Sequence, residues 1–152
     1  MGRVEDENLF PCSSKGLFTF LTQPRRIAEV TDPNLGLVFT DAPQQIEAGI
    51  ELDFKIVSFG QVHEITHKIT TFEPHVLVVE EQIEGPMAAW THRHEYEDTD
   101  NGVIKRDIVE FEKPGGIIGL LLSNDTISDQ LEDGFHYRNQ QLLKLIDTGV
   151  IQ

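Results

Sequence analysis

Two histidines, His92 and His94, alternate with mostly charged residues in a segment that also contains Trp90 and Tyr96. Successive side chains of a β-strand point to opposite faces, so these four residues would share one face. Imidazole gains and loses a proton near neutral pH and is also a common metal ligand. This face could therefore perform acid–base chemistry, hold a metal or anchor a ligand.

The next strand would bring a carboxylate, Asp107, to the same face. The Asp-Thr-Asp-Asn-Gly run before it is typical of a β-hairpin turn. A two-residue Asn101–Gly102 turn puts Asp107 diagonally beside His94, whereas a two-residue Asp100–Asn101 turn puts the two directly opposite each other. Either turn also places Lys105 on this face, and a three-residue loop would reverse it.

An inward Asp107 is costly unless it is paired or solvated, and His92, His94 or Arg138 could supply the partner. A structural polar network is the favoured interpretation. A polar anchor for a ligand, acid–base catalysis with His94, His92 and Asp107 as candidates, and a metal site with His92, His94 and His67 stay open. We expect no metal and no cofactor.

The segment from His63 to His67 reads His-Glu-Ile-Thr-His, which matches the pattern of zinc proteases. That pattern requires a helix, where residues four apart share a face. Here it lies in a predicted strand, where residues four apart are separated by about 13 Å. Two ligands of one zinc ion cannot be that far apart, so we exclude a metalloprotease.

The remaining elements predict an α+β fold in one domain spanning residues 1–152. A first strand, Arg3–Phe10, precedes a short helix capped by Ser13 or Ser14 and a second short helix, Arg25–Val30. Short connections then predict an antiparallel meander, for a sheet of six or seven strands in all. Its main strands are Ile50–Val57, Val62–Phe72, His75–Ile83, Met87–Tyr96 and Val103–Phe111.

A long helix is predicted from Asn124 to Asp147, capped by Ser123 or Asn124. Its inward stripe is apolar except for Arg138, and only the inner face of the sheet is large enough to cover it. The stripe consists of Ile127, Leu131, Phe135, Arg138, Leu142 and Leu145.

The chain carries a net charge of −14, which disfavours nucleic acid as a partner. A single cysteine, Cys12, excludes an intrachain disulfide. The N-terminus is acidic where a signal peptide is basic, and no apolar run approaches the roughly 20 residues of a membrane span. We therefore expect a soluble, cytoplasmic protein without integral membrane association, and a homodimer stays open.

Several segments in the second half of the chain resemble a bacterial subgroup of the SRPBCC superfamily, which includes Bet v 1, START and polyketide cyclase proteins. The matching segments are Gly85-Pro86, Trp90–Tyr96, Asp107 before Phe111, Pro114-Gly115-Gly116 with Gly119, and Phe135–Arg138. The resemblance implies a helix-grip fold, in which a curved antiparallel sheet wraps a long C-terminal helix. It also implies an internal cavity for a lipid, sterol or polyketide, in a superfamily of both binders and cyclases.

Three functions follow as hypotheses. The first is binding or transport of a small hydrophobic molecule in an internal cavity. The second is a cyclase or dehydratase that uses a His–Asp pair, and the third is an interaction module with a filled core and an exposed apolar patch. The predicted ligand-binding residues are Phe54, His67, Trp90, His92, His94, Tyr96, Asp107, Phe111, Phe135 and Arg138.

Overall fold

Seven antiparallel strands form one curved sheet in the computed structural model, which describes residues 1–152. Their order across the sheet is β1-β7-β6-β5-β4-β3-β2, so strands β2 to β7 form a meander and β1 pairs with β7. This confirms the predicted antiparallel sheet. The strands are β1 (Gly2–Phe10), β2 (Val38–Asp41), β3 (Glu51–Ser58), β4 (Gln61–Glu73), β5 (Leu77–Glu84), β6 (Ala89–Thr99) and β7 (Gly102–Glu112).

Four helices accompany the sheet: α1 (Ser14–Leu21), α2 (Pro24–Glu29), α3 (Gly116–Leu121) and α4 (Asn124–Asp147). A 3-10 turn spans Pro33–Leu35. The Ser13 hydroxyl accepts a hydrogen bond from the backbone N–H of Gly16, which satisfies one free donor at the start of α1. Ser123 caps α4 in the same way through Thr126, so the predicted bounds of the long helix are confirmed.

Two elements were not predicted. The edge strand β2 has four residues and α3 has six, so neither is long enough to show a period in its sequence. The side chains of α3 are unusual because Ile117, Leu120 and Leu121 are more than three-quarters exposed. None of the helices in the chain has the length and apolar character needed to cross a bilayer.

The hairpin between β6 and β7 has a two-residue loop, Asp100–Asn101, because Thr99 pairs with Gly102. Of the two registers open from the sequence, this is the one that places His94 directly opposite Asp107. Helix α4 crosses the inner face of the sheet above this hairpin, as predicted.

The apolar interior is divided into two clusters. A larger one surrounds α1 and the C-terminal half of α4, and it includes Phe10, Leu17, Ile69, Tyr96, Val103 and Leu142. A smaller one lies under the N-terminal half of α4, and it comprises Val4, Val109, Phe111, Ile127 and Phe135. The helix stripe differs from its prediction in one respect: Asn139 is buried beside Arg138, so the helix brings two polar side chains to the gap between the clusters.

Replacing Leu142 with alanine should lower the free energy of unfolding by about 2–5 kcal/mol, because this side chain is fully buried. Replacing Leu120, which is 84% exposed, should change it by less than about 0.5 kcal/mol. Urea unfolding at several protein concentrations checks both values. A large, concentration-dependent loss for Leu120→Ala would contradict the second value and reveal that a second copy covers α3.

Candidate functional site

A band of polar and ionisable side chains crosses the inner face of the sheet between the two apolar clusters. Five neighbouring strands contribute to it, because the inward positions of β1, β7, β6, β5 and β4 meet there and α4 lies above. We call this band the polar belt. It comprises Asp6, His67, Glu80, His92, His94, Lys105, Asp107, Arg138 and Asn139.

Asp107 is the centre of the polar belt and is only 1% exposed. The ammonium group of Lys105 donates to both carboxylate oxygens at 2.7 Å, and Arg138 of α4 donates to Oδ2. His92 Nε2 lies 2.8 Å and His94 Nδ1 3.1 Å from Oδ1. One buried carboxylate therefore contacts an ammonium group, a guanidinium group and two imidazoles.

These contacts keep Asp107 ionised. Burial alone would raise the pKa of its carboxyl group, but the charges of Arg138 and Lys105 outweigh burial and hold that pKa well below its ordinary range. Burial, followed by the nearby Arg138 charge, lowers the pKa of Lys105 to about 8. On the far side of Lys105, burial raises the pKa of the Tyr96 hydroxyl, so Tyr96 is neutral.

His92 and His94 stack on each other, with ring centroids 3.7 Å apart and an interplanar angle of 22°. Burial and the neighbouring His94 lower the pKa of His92 to about 4, so His92 is neutral at physiological pH. Each ring turns one nitrogen to Asp107 and the other to Glu80 of β5. Glu80 Oε1 lies 3.7 Å from His92 Nδ1, and Glu80 Oε2 lies 3.8 Å from His94 Nε2.

Glu80 is the polar-belt residue that joins β5 to β4, since its Oε1 also lies 3.4 Å from His67 Nδ1. Burial would raise the pKa of the Glu80 carboxyl, but hydrogen bonds from His67 and His94 hold that pKa well below its ordinary range. Glu80 and His94 have side chains 19% and 17% exposed, so this end of the polar belt reaches solvent. The Asp107 end is closed.

An aromatic row runs beside the polar belt from β2 to β7. Its neighbouring ring centroids are 5.8, 4.9, 6.4 and 6.3 Å apart, which is the spacing of packed aromatic pairs. The row consists of Phe39, Phe54, His67, Trp90 and Phe111, in that order. Phe39, Phe54 and Trp90 are half-buried, and the indole Nε1 of Trp90 is a buried donor without a partner.

The structure brings most of the predicted site residues together. His92, His94, Asp107 and Arg138 contact one another as expected, and Phe135 packs edge-on to His92 at 5.7 Å. The predicted residues Phe54, His67, Trp90 and Phe111 form the aromatic row. Tyr96 is the exception, because its ring packs against Phe18 in the larger apolar cluster at 5.1 Å. Whether these residues bind a ligand stays a prediction.

The His-Glu-x-x-His segment lies within β4. This confirms the predicted strand, in place of the helix that a zinc protease has at this pattern. Its two histidines do not converge. His63 Nε2 lies 3.2 Å from the carbonyl oxygen of Ser58, whereas His67 belongs to the polar belt.

The polar belt lies between the sheet and α4, where an apolar cavity was expected. Two pockets lie elsewhere. One, of about 390 Å³, is lined by residues of α1 and of the C-terminal segment 149–152, and the other, of about 220 Å³, is lined by Glu73, Arg93 and Arg106 among others. Of the predicted ligand-binding residues, only Tyr96 lines either pocket.

Comparison with solved structures gives close matches of fold at low sequence identity. A protein from Chromobacterium violaceum superposes with a TM-score of 0.72 at 13% identity, covering 95% of this chain and 96% of the other. Ara h 8.0201 superposes with a TM-score of 0.66 at 15% identity, covering 93% and 97%. The di-domain ARO/CYC StfQ of the steffimycin biosynthetic pathway gives a TM-score of 0.68 at 15% identity, covering 94% of this chain and 48% of StfQ.

This chain has the helix-grip fold of Bet v 1-like proteins. No protein-family model matches the sequence, and a comparison with curated proteins gives no match either. The helix-grip architecture explains why α4 lies over the inner face of the sheet.

Proposed function

We propose that the protein binds a small, flat, largely apolar molecule that carries one polar group, on the inner face of the sheet. Polyketides, other aromatic molecules and flat lipids such as sterols belong to this class. The observation that supports this most is that three rings of the aromatic row, Phe39, Phe54 and Trp90, are only half-buried and lie beside the open end of the polar belt. Such a surface offers stacking area next to a few placed polar groups, which is the usual composition of a small-molecule site.

The two halves of the site would divide recognition between them. The rings of Phe54 and Trp90 offer flat apolar faces, and burial of apolar area there supplies affinity. The Nε1–H of Trp90 has no partner within the protein, and an unmet buried donor is costly. A ligand oxygen placed against that donor would remove the cost and fix the ligand's orientation beside His94 and Glu80.

The site differs from the predicted enclosed cavity because it is an open surface next to a closed ionic core. A ligand of this kind would lie against the aromatic row rather than replace the polar belt, since Asp107 and Lys105 are each only 1% exposed. The ligand-facing residues would then be Phe54, His67, Trp90 and His94. The buried residues of the polar belt, such as Asp107 and Lys105, would hold the strands and α4 in place.

Trp90 makes the proposal testable because it is the only tryptophan in the chain. Its fluorescence should change saturably when flat aromatic or polyketide-like compounds are titrated in, and far less with saturated fatty acids. Mass spectrometry of small molecules extracted from the purified protein, against an empty-vector control, provides candidate ligands. Trp90→Phe, followed by calorimetry, should weaken binding by about 1–3 kcal/mol because the indole donor is lost.

Glu110→Gln on the exposed face of β7 is the matched control and should bind as wild type does. The proposal fails if no specific molecule is recovered and no compound in the panel changes the fluorescence. It also fails if Trp90→Phe binds every ligand as tightly as wild type does.

An acid–base enzyme of the cyclase or dehydratase kind is the second candidate. The pair formed by His94 and Asp107 supports it, because the ionised carboxylate orients an imidazole that is partly open to solvent. A bound ligand incubated with wild type should then change mass or retention time over hours. His94→Gln should bind the same ligand without converting it. Equal conversion by both proteins would remove His94 from any catalytic role.

A further inference from the structure

Three imidazole nitrogens face a single carboxylate at the open end of the polar belt. The Glu80 oxygens lie 3.4 Å from His67 Nδ1, 3.7 Å from His92 Nδ1 and 3.8 Å from His94 Nε2. The ligand atoms of Glu80, His92 and His94 all lie within 4.8 Å of one another. Glu80 lies on β5, His92 and His94 lie on β6, and His67 lies on β4, so the arrangement is set by the sheet and not by one flexible loop.

The rings of His92 and His94 each span the gap between two carboxylates. His92 turns Nε2 to Asp107 and Nδ1 to Glu80, whereas His94 turns Nδ1 to Asp107 and Nε2 to Glu80. The sheet therefore directs one nitrogen of each ring to the same carboxylate at the open end of the polar belt.

The formal charges point the same way. Lys105 and Arg138 both bind Asp107, so the cations of the polar belt lie at its closed end. No lysine or arginine contacts Glu80 among the ion pairs of the chain. The carboxylate of Glu80 is thus half-enclosed, with only imidazoles as its ion-pair partners.

We propose that Glu80, His92 and His94 bind one divalent transition-metal ion of the zinc class, with His67 within reach as a fourth ligand. Ligands at about 2.0–2.1 Å from a tetrahedral zinc ion lie roughly 3.3–3.4 Å from one another. The Glu80 oxygens lie 3.4 to 3.8 Å from these nitrogens, and the ligand atoms of Glu80, His92 and His94 lie within 4.8 Å of one another. Rotation of the side chains must therefore bring them closer by up to about 1.5 Å. Imidazole-rich donor sets favour zinc and its neighbours over magnesium or calcium, which prefer oxygen.

Asp107 would be the outer-shell partner of this metal site. Histidines that bind metals usually donate their other ring N–H to a carboxylate, which fixes the orientation of the ring and makes the bound nitrogen more basic. Asp107 contacts two of the proposed ligands in this way, at 2.8 and 3.1 Å.

The site lies next to the aromatic row, since His67 belongs to both. This inference does not depend on the proposed ligand, because metal binding can be measured without any organic molecule. Failure of one experiment therefore leaves the other proposal standing.

The first test is a titration of full-length protein, free of any histidine tag and stripped with EDTA, with Zn²⁺ alone. Competition with a chromophoric chelator should give one ion per chain, and the melting temperature should rise on binding. Glu80→Gln, His92→Gln and His94→Gln should each weaken binding by more than the about 10–100-fold that loss of an outer-shell partner costs. His63→Gln, the other histidine of the His-Glu-x-x-His segment, is the matched control and should bind normally.

The second test needs no substitution and so stands even if a variant fails to fold. X-ray absorption at the zinc edge of the loaded wild type should show only nitrogen and oxygen ligands, with at least two imidazoles. The inference is overturned if no single equivalent of Zn²⁺ binds, if the three variants bind as tightly as wild type, or if the absorption spectrum shows fewer than two imidazoles.

Discussion

Replacing Asp107 with alanine should lower the free energy of unfolding by about 3–5 kcal/mol, the cost of removing one partner from a buried ion pair. The carboxylate is 1% exposed, and so is the ammonium group of Lys105 that it binds. Without Asp107, Lys105 and Arg138 would face each other without an anion between them. The imidazoles of His92 and His94 would lose their common acceptor as well.

The loss of unfolding free energy should come mainly from the unpaired charges of Lys105 and Arg138 and not from the volume left empty by Asp107. A double variant, Lys105→Met with Asp107→Leu, should therefore recover much of the stability, because well-packed apolar residues often replace a buried ion pair without cost. Arg138 is 13% exposed at its side chain and can turn its guanidinium toward water.

Urea unfolding followed by far-ultraviolet circular dichroism measures both variants. Glu97→Ala is the matched control, because it breaks a surface ion pair with Arg106 and should cost no more than about 1 kcal/mol. A loss below about 1 kcal/mol for Asp107→Ala would contradict the view that this carboxylate holds the polar belt together.

Replacing Gly102 with alanine should lower the free energy of unfolding by roughly 2–6 kcal/mol, through two separate effects. Its φ angle is +133°, which residues with a side chain rarely adopt. An added Cβ would also lie 2.1 Å from the carbonyl oxygen of Phe10, a backbone atom that cannot move aside without displacing β1. This position ends the two-residue hairpin loop, so strain there acts on the register that sets His94 opposite Asp107.

Gly60→Ala separates the two effects. Gly60 has a φ angle of +75° but open space where its Cβ would lie, so only the backbone cost of about 1–2 kcal/mol should appear. Equal losses at the two positions, measured by urea unfolding, would show that the clash with Phe10 is absent in solution.

The sequence was most informative where one strand alternates cleanly. The pattern around His92 and His94 correctly placed both rings, Trp90 and Asp107 on the inner face, and the hairpin limited the register to two choices, of which the structure has one. Helix α4 was predictable because its period extends over 24 residues and its cap is a serine.

Glu80 was not predicted because its strand shows no alternation. It lies in the run Val79-Glu80-Glu81-Gln82, which is typical of a solvent-facing strand. The pairing of β4 with β5 also has two register shifts, at Thr66/His67 and at Ile69/Thr71. Because of them, the position of a residue in the sequence does not by itself tell which face of the sheet its side chain occupies. Only the three-dimensional pairing brings Glu80 to the imidazoles.

Lys105 is a residue whose face was predicted but whose place in the site was not. Alternation placed Lys105 on the inner face, but lysine is almost never fully buried unless it is paired, so nothing in the sequence indicated that it belongs to the site. Its burial depends on Asp107 two residues later on the same strand, with both Nζ–O distances at 2.7 Å. Helix α3 was missed for a different reason, since six residues without a polar face have no recognisable period.

Ionised Asp107 holds the rings of His92 and His94 with their second nitrogens turned toward Glu80. Long-range ¹⁵N–¹H correlation spectra of the metal-free protein at neutral pH measure this arrangement most directly at His92, whose pKa is lowered to about 4. We expect His92 to be a neutral ring with its proton on Nε2 and a bare Nδ1. A doubly protonated His92, or a proton on Nδ1 with Nε2 bare, would contradict it.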